Sequence, residues 1–335
     1  MKLMATLFLG LALAASSALT ASSALLRAND LRPVYRAGEG ARLEMTSTSS
    51  FELVSRSVEQ DGEVRETPGG SSSTTETWSA AWSDRAEAVA EGAPTTVVRH
   101  FEGIEGERAS EGMRGARSTA LESEFEGAKV RLVRDGESVE AEVLEGGDVP
   151  LERLASLGLT LPLDGLLPEG EVKVDGVWTV SGPAFEDALG LGVAKALFAT
   201  PAAAEAPEGG GRRGGRGGRG MGGGDRAGAQ MLHGTEWDLE ARLVAIEDGI
   251  ARITIGGDGE RITTTENTVG ELRATVEGEL LFDVARRMTT GFEAQVEYTL
   301  DSTSEFAREE LTVRMSSSYT GTLKVEASID ALATE

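Results

Sequence analysis

Two histidines and no cysteine set narrow limits on the chemistry open to this chain. A zinc site would have to combine His100 and His233 with carboxylates from distant segments, and no tidy ligand spacing is present. A Ser-His-Asp triad would have to use one of the same two histidines, and neither a Gly-x-Ser-x-Gly elbow nor a Ser-x-x-Lys motif occurs. Paired carboxylates could hydrolyse glycosides, but with 56 Asp and Glu no pair stands out. No Asp-x-Asp-x-Asp-Gly calcium loop is found. The reading is therefore of a chain with no catalytic residue, no metal ligand and no cofactor site.

Two groups of residues remain as candidates for ligand or partner contact. Trp78 and Trp82 share strand parity, so both rings face one side, where they could stack on sugars or lipids or pack in a core. Arg212, Arg213, Arg216 and Arg219 lie in a Gly-Arg run. Such runs are like the RGG boxes that bind RNA, but aromatic residues are missing and the chain is otherwise acidic. Residues 208–226 carry five Arg against two acids, or +3. The run lacks Gly-Lys-Ser/Thr and so is not a phosphate loop. It reads as a linker, with an anionic envelope polymer as its alternative partner.

The elements that position these residues are mostly strands. Phe292 to Leu300 alternates apolar and polar residues, as do the runs Leu272 to Phe282, Leu311 to Ala327 and Leu43 to Leu53. Alternation with one wet face is the habit of antiparallel sheets. Asp-Gly pairs at 61, 135, 248 and 258 lie between strand candidates and predict hairpins, since a type I′ turn needs positive φ at both central residues. The runs 271–283, 288–301 and 309–328 are long, about 40–65 Å at roughly 3.3 Å per residue. They predict a strongly curved sheet or open half-barrel, with Gly278, Gly291 and Gly321 as bending points. Two helices are predicted in the middle. One, over 148–158, has Asp148 as N-cap and Gly158 as stop; the other, over 183–199, follows Ser181 and ends before Pro201.

The first 24 residues have the layout of a secretory signal peptide: Lys2, an apolar run from Leu3 to Ala14, then small residues. The run is shorter than the roughly 20 residues of a membrane helix. The expectation is a soluble periplasmic or extracellular protein with no transmembrane segment after cleavage. Net charge is −24, or −25 once Lys2 is removed, which disfavours nucleic acid as a partner. Residues 31–200 and 235–335 are read as two parts of one β-rich domain, because each alone would leave apolar surface in water. Residues 201–234 are read as a disordered insertion.

Leu167-Pro-Glu-Gly-Glu-Val-Lys-Val-Asp-Gly-Val-Trp-Thr-Val180 resembles a Leu-Pro … Val-x-Val-Gly-Asp-x-Trp segment of uncharacterised exported bacterial β-sheet proteins. Val172, Val174, Gly176 and Trp178 match, with Asp and Gly exchanged. Gly278 to Met288 resembles a Gly-x-Leu-x-Phe-Asp … Gly-Arg hairpin of the same group, with Ala285-Arg286 in place of the turn glycine. The resemblance implies a fold and no activity. In outline, a curved sheet with helices on one face is also similar to LolA-like periplasmic lipoprotein carriers. The function expected is a binding protein holding a lipid or other apolar ligand on a concave sheet face. The alternatives are a cell-envelope interaction module and a carboxylate-dependent hydrolase.

Overall fold

A computed structural model describes residues 28–333 except 61, 69–71, 113–114, 137, 148, 155–156, 199–227 and 309–310. The alternating runs become long antiparallel strands. They are β1 (Asn29–Asp30), β2 (Gly40–Gln60), β3 (Glu63–Pro68), β4 (Ser73–Ala90), β5 (Ala93–Gly112), β6 (Gly115–Ala120), β7 (Lys129–Asp135) and β8 (Ser138–Glu145). After the helical middle, which also contributes β9 (Glu171–Val172) and β10 (Val177–Val180), come β11 (Glu236–Glu247), β12 (Ile250–Thr265), β13 (Thr268–Asp283), β14 (Met288–Arg308) and β15 (Leu311–Leu332).

Thirteen of these form one sheet, in the order β10-β11-β12-β13-β14-β15-β2-β4-β5-β7-β8, with β3 on β2 and β6 on β5. Every pairing is antiparallel, and the end strands β10 and β8 do not meet, so the curved sheet stays open. β15 pairs with β2, and β10 with β11, so both halves of the chain lie in the same sheet. β1 and β9 form a separate short ribbon.

Side-chain period 2 fixes the inner face. On β2, Leu43, Met45, Phe51 and Leu53 are buried, and Ser47 and Ser49 with them. Leu272, Ala274, Val276, Leu280 and Phe282 of β13 point the same way, as do Phe292, Ala294, Val296 and Tyr298 of β14. They belong to one apolar core.

The inner face is covered by the chain's own middle. Three short α-helices form here: α1 (Leu151–Leu154), α2 (Gly182–Ala188) and α3 (Leu191–Leu197). Of the helix expected over 148–158, Leu151–Leu154 is helical, and its expected cap Asp148 and residues 155–156 lie outside the described residues. The helix expected over 183–199 starts after Ser181, whose Oγ accepts from Ala184 N, but it breaks at Gly190. Gly190 has φ +68°, and a Cβ there would lie 2.8 Å from both Met45 Sδ and Trp78 Cη2. The break therefore lets the junction of α2 and α3 sit against Met45 of β2 and Trp78 of β4, while Phe185 of α2 packs on Trp237 of β11. A 3-10 turn, Gly228–Leu232, buries Ala229 and Leu232, so the insertion expected over 201–234 ends sooner than the composition indicates. Residues 199–227 lie outside the described residues.

Hairpins form at Asp248-Gly249, where both residues have positive φ, and at Asp135-Gly136. Asp258-Gly259 is not a turn. It lies within β12, paired with Asp238 and Trp237 on one side and with Thr275 and Ala274 on the other. Gly259 gives room to an aromatic ring there: a Cβ would lie 2.5 Å from Trp237 Cε3. Of the three expected bending glycines, Gly291 sits at a register shift, where Leu281 pairs with Gly291 but Phe282 with Thr289. Gly278 and Gly321 stay in register.

Candidate functional site

Trp78 and Trp82 do share a face, and it is the inner one. Each is 2% exposed. Trp78 packs 6.3 Å from the Phe198 ring and Trp82 6.5 Å from Phe101, centroid to centroid. Neither is offered on the surface, because the helical middle covers them. Arg212, Arg213, Arg216 and Arg219 lie outside the described residues. His100 is exposed on β5, and His233 Nδ1 lies 2.6 Å from Glu186 Oε2. Among the described residues no group of His, Asp and Glu is arranged to hold a metal ion.

The inner-face parity of β4 continues from Trp78, Ala80 and Trp82 to Asp84 and Ala86. On β5 it runs through Val97, Arg99 and Phe101. Asp84 and Arg99 stand opposite one another in the register, so two charges enter the core as a pair. Arg99 Nε donates to Asp84 Oδ1 and Nη2 to Oδ2, both at 2.7 Å. This bidentate form is the geometry in which a buried ion pair is best compensated. The guanidinium carbon also lies 5.6 Å from the centre of the Trp82 ring.

Asp84 opens onto a cavity of about 310 Å³ at one end of the sheet. Four parts of the chain assemble it. Pro33 to Glu39 lead into β2; Leu159, Leu161 and Asp164 come from the helical middle; Ala285 to Met288 form the β13–β14 turn; and Ala331 and Leu332 end β15. Ala41, Ala86 and Val97 add apolar wall from the sheet. Arg287 latches two of these parts: Nη2 reaches Asp30 Oδ2 at 2.8 Å, Nε donates to Arg32 O at 3.1 Å, and its carbonyl accepts from Val34 N at 3.1 Å. The Arg32 hydrogen bonds, with Arg287 beside them, hold the Asp30 carboxyl well below the usual carboxylate range. A smaller cavity of about 170 Å³, lined by Trp82, Arg99 and Asp187, shares Leu161 with the first. The Asp84–Arg99 pair thus contributes one member to each cavity.

Tyr35 and Asp164, 129 residues apart, meet in the larger cavity. The Tyr35 hydroxyl donates to Asp164 Oδ2 and accepts from Leu161 N at 3.0 Å. Asp164 Oδ1 is closed off from solvent and has no hydrogen-bond partner among the described residues. Burial pushes this carboxyl up to about 7, against the opposing effects of the Tyr35 hydrogen bond and of the Leu161 backbone N–H. Burial, with Asp164 beside it, pushes the Tyr35 hydroxyl well above its ordinary value, so it remains a donor.

Two carboxylates, Asp84 and Asp164, therefore line one apolar-walled cavity. They are not equivalent. Both oxygens of Asp84 are engaged by Arg99, whereas Asp164 has an oxygen to spare. The strand parity of Asp84 is a signal legible in the sequence: an acid at an inward position next to Trp82. Tyr35 and Asp164 carry no such signal, because neither sits in an alternating run.

No family model matches this chain, and no curated protein matches it. Among solved structures it is similar to OccK7 of Pseudomonas aeruginosa, at 10% identity over 88% of this chain and 100% of that one, with a TM-score of 0.23. It is also similar to an outer membrane channel of Pseudomonas putida F1, at 7% identity over 89% of this chain and 97% of the other, with a TM-score of 0.21. Likeness at this level establishes neither a common fold nor a common role. Among the described residues no helix is long and apolar enough to cross a membrane.

Proposed function

We propose that the chain is an exported, non-catalytic binding protein of the cell envelope that holds a small, largely apolar molecule in the end cavity. The observation that carries this reading is the contrast along the inner face. Most of that face is filled by the chain's own helices, while a space of about 310 Å³ with apolar walls remains between Tyr35, Val97, Leu161 and Leu332. Volumes of roughly 300–1,000 Å³ with a few convergent polar groups are typical of small-molecule sites. A lipid laid along the open concave face is not favoured, because Met45 and Trp78 there are already covered by Gly190 and its flanking helices. Export is supported by the leader-like residues 1–24.

The hydrolase reading draws on Asp84 and Asp164 sharing the cavity. It is weaker, because Asp84 is held at both oxygens and is poorly placed to move a proton.

Native mass spectrometry of the full chain, purified without denaturant, tests the binding reading. The expected result is an adduct of a few hundred daltons that is lost in A41F, which narrows the cavity, while A41F keeps its cooperative melt. An adduct retained in A41F, or no uptake of any small apolar molecule on titration, would contradict it.

A further inference from the structure

We infer that the ligand of the end cavity carries a protonated amine, and that Asp164 is the group that receives it. This deepens the binding reading and rests on it.

The charged groups lining the cavity differ in one respect. Arg36 is paired with Glu39 at 3.1 Å, Arg286 with Asp283 at 3.6 Å, and Arg287 with Asp30 at 2.8 Å. Asp84 is held by Arg99. Among the described lining residues, Asp164 is the one charged side chain with no opposite charge against it. Its only side-chain partner is the Tyr35 hydroxyl, which takes Oδ2, while Oδ1 is turned away from solvent without a hydrogen-bond partner among the described residues and must rotate to meet a ligand. Tyr35 cannot serve both oxygens, since it has one proton to donate.

A buried carboxyl oxygen without a donor is a defect in a folding sense, because it loses its water and is not repaid by a hydrogen bond. The Tyr35 hydroxyl needs an acceptor here, but one oxygen satisfies it and the second is left over. The defect disappears when a cation enters. An ammonium supplies up to three N–H donors and a full positive charge, and it answers both the missing hydrogen bond and the uncompensated charge. The carboxyl's χ2 is a soft torsion, so either oxygen can turn to the cavity while the other keeps Tyr35. Ala41, Ala86, Val97 and Leu332 then accommodate the apolar remainder of the molecule. A metal ion does not fit this arrangement, because a single carboxylate without further ligands is too few for a hard cation. A carboxylate ligand is opposed by Asp164, whose charge is not answered by a cation.

Three probes of equal length separate these possibilities: hexylammonium, 1-hexanol and hexanoate, titrated by calorimetry into the full chain at pH 8. Hexylammonium is expected to bind at least ten-fold more tightly than hexanol, with hexanoate weaker still. In D164N the ratio of amine to alcohol affinity is expected to fall towards one, and in Y35F the preference for the amine is expected to persist. If hexanol or hexanoate binds as well as the amine, or if D164N keeps the amine preference, the amine assignment is wrong and the cavity reading stands. If none of the three binds, both readings fail.

Discussion

Asp84 and Arg99 face each other across β4 and β5 with both oxygens and two guanidinium nitrogens engaged at 2.7 Å, and Arg99 is 1% exposed. A pair this deep is a poor source of stability but a large liability when halved. R99M leaves the Asp84 charge buried beside the cavity, and we expect a loss of about 3–5 kcal/mol. The double variant R99M/D84L should recover most of that loss. Urea denaturation of the four proteins measures the cycle; equal losses in the single and double variants would show that packing, and not charge pairing, is what the two residues supply.

Asp164 gives the ligand-free protein a specific pH dependence. Its carboxyl is raised by burial to about 7 from an ordinary value near 4. The folded state then keeps a proton that the unfolded chain has lost, so this group's stabilising effect is complete below about pH 4 and is lost as pH rises to about 7. The titratable and charged groups that share its cavity are Tyr35, which stays protonated, Asp84 paired with Arg99, Arg36 paired with Glu39, and Arg286 and Arg287 paired with Asp283 and Asp30; Asp187 of α2 lines the neighbouring cavity. Burial with Glu186 beside it also raises Asp187. The comparison with D164N isolates the Asp164 contribution from the repulsion within an acidic chain. We expect D164N to exceed the wild type at pH 8 by on the order of 2–4 kcal/mol, with the advantage shrinking towards pH 5. Parallel pH profiles for the two proteins would remove Asp164 as the cause.

Gly190 joins α2 and α3 over the centre of the sheet with φ +68°. Alanine there carries both the left-handed backbone penalty and a Cβ 2.8 Å from Met45 and Trp78. We expect G190A to destabilise by about 2–4 kcal/mol. A thermal melt checks this, and an unchanged midpoint would show that the helix pair does not bear on β2 and β4 as described.

How much of this was legible in the sequence differs between scaffold and site. Strands declare themselves through local alternation, and Leu272 to Phe282 or Phe292 to Tyr298 need only their own neighbours to be read. Asp258-Gly259 misleads because glycine serves two ends: the same residue that permits a turn also permits Trp237 to lie against a strand. The helix over 183–199 looked continuous because its apolar stripe is continuous, whereas the break at Gly190 is set by contacts with β2 and β4 that the stripe does not encode. Strand parity alone places Trp78 and Trp82 on one face, but that it is the buried face depends on what covers it. The site is harder again. Tyr35 and Asp164 come from segments without periodicity and meet only after the sheet, the helical middle and the β13–β14 turn have assembled. Asp84 alone was readable, as an acid continuing the parity of Trp82.

The central claim is that the middle of the inner face, around Met45 and Trp78, is closed by the chain itself, and that a ligand enters the cavity between Tyr35, Asp164, Val97 and Leu332. Methyl NMR of the full chain, labelled at Leu, Val and Ala and titrated with hexylammonium, tests it most directly. Shifts confined to Val34, Ala41, Ala86, Val97, Leu159, Leu161, Ala285, Ala331 and Leu332 are expected, with Leu43, Leu272, Val276 and Val296 of the sheet centre unmoved. Shifts centred on those last four residues would mean that the ligand lies along the concave face, and the account of the cavity would be wrong.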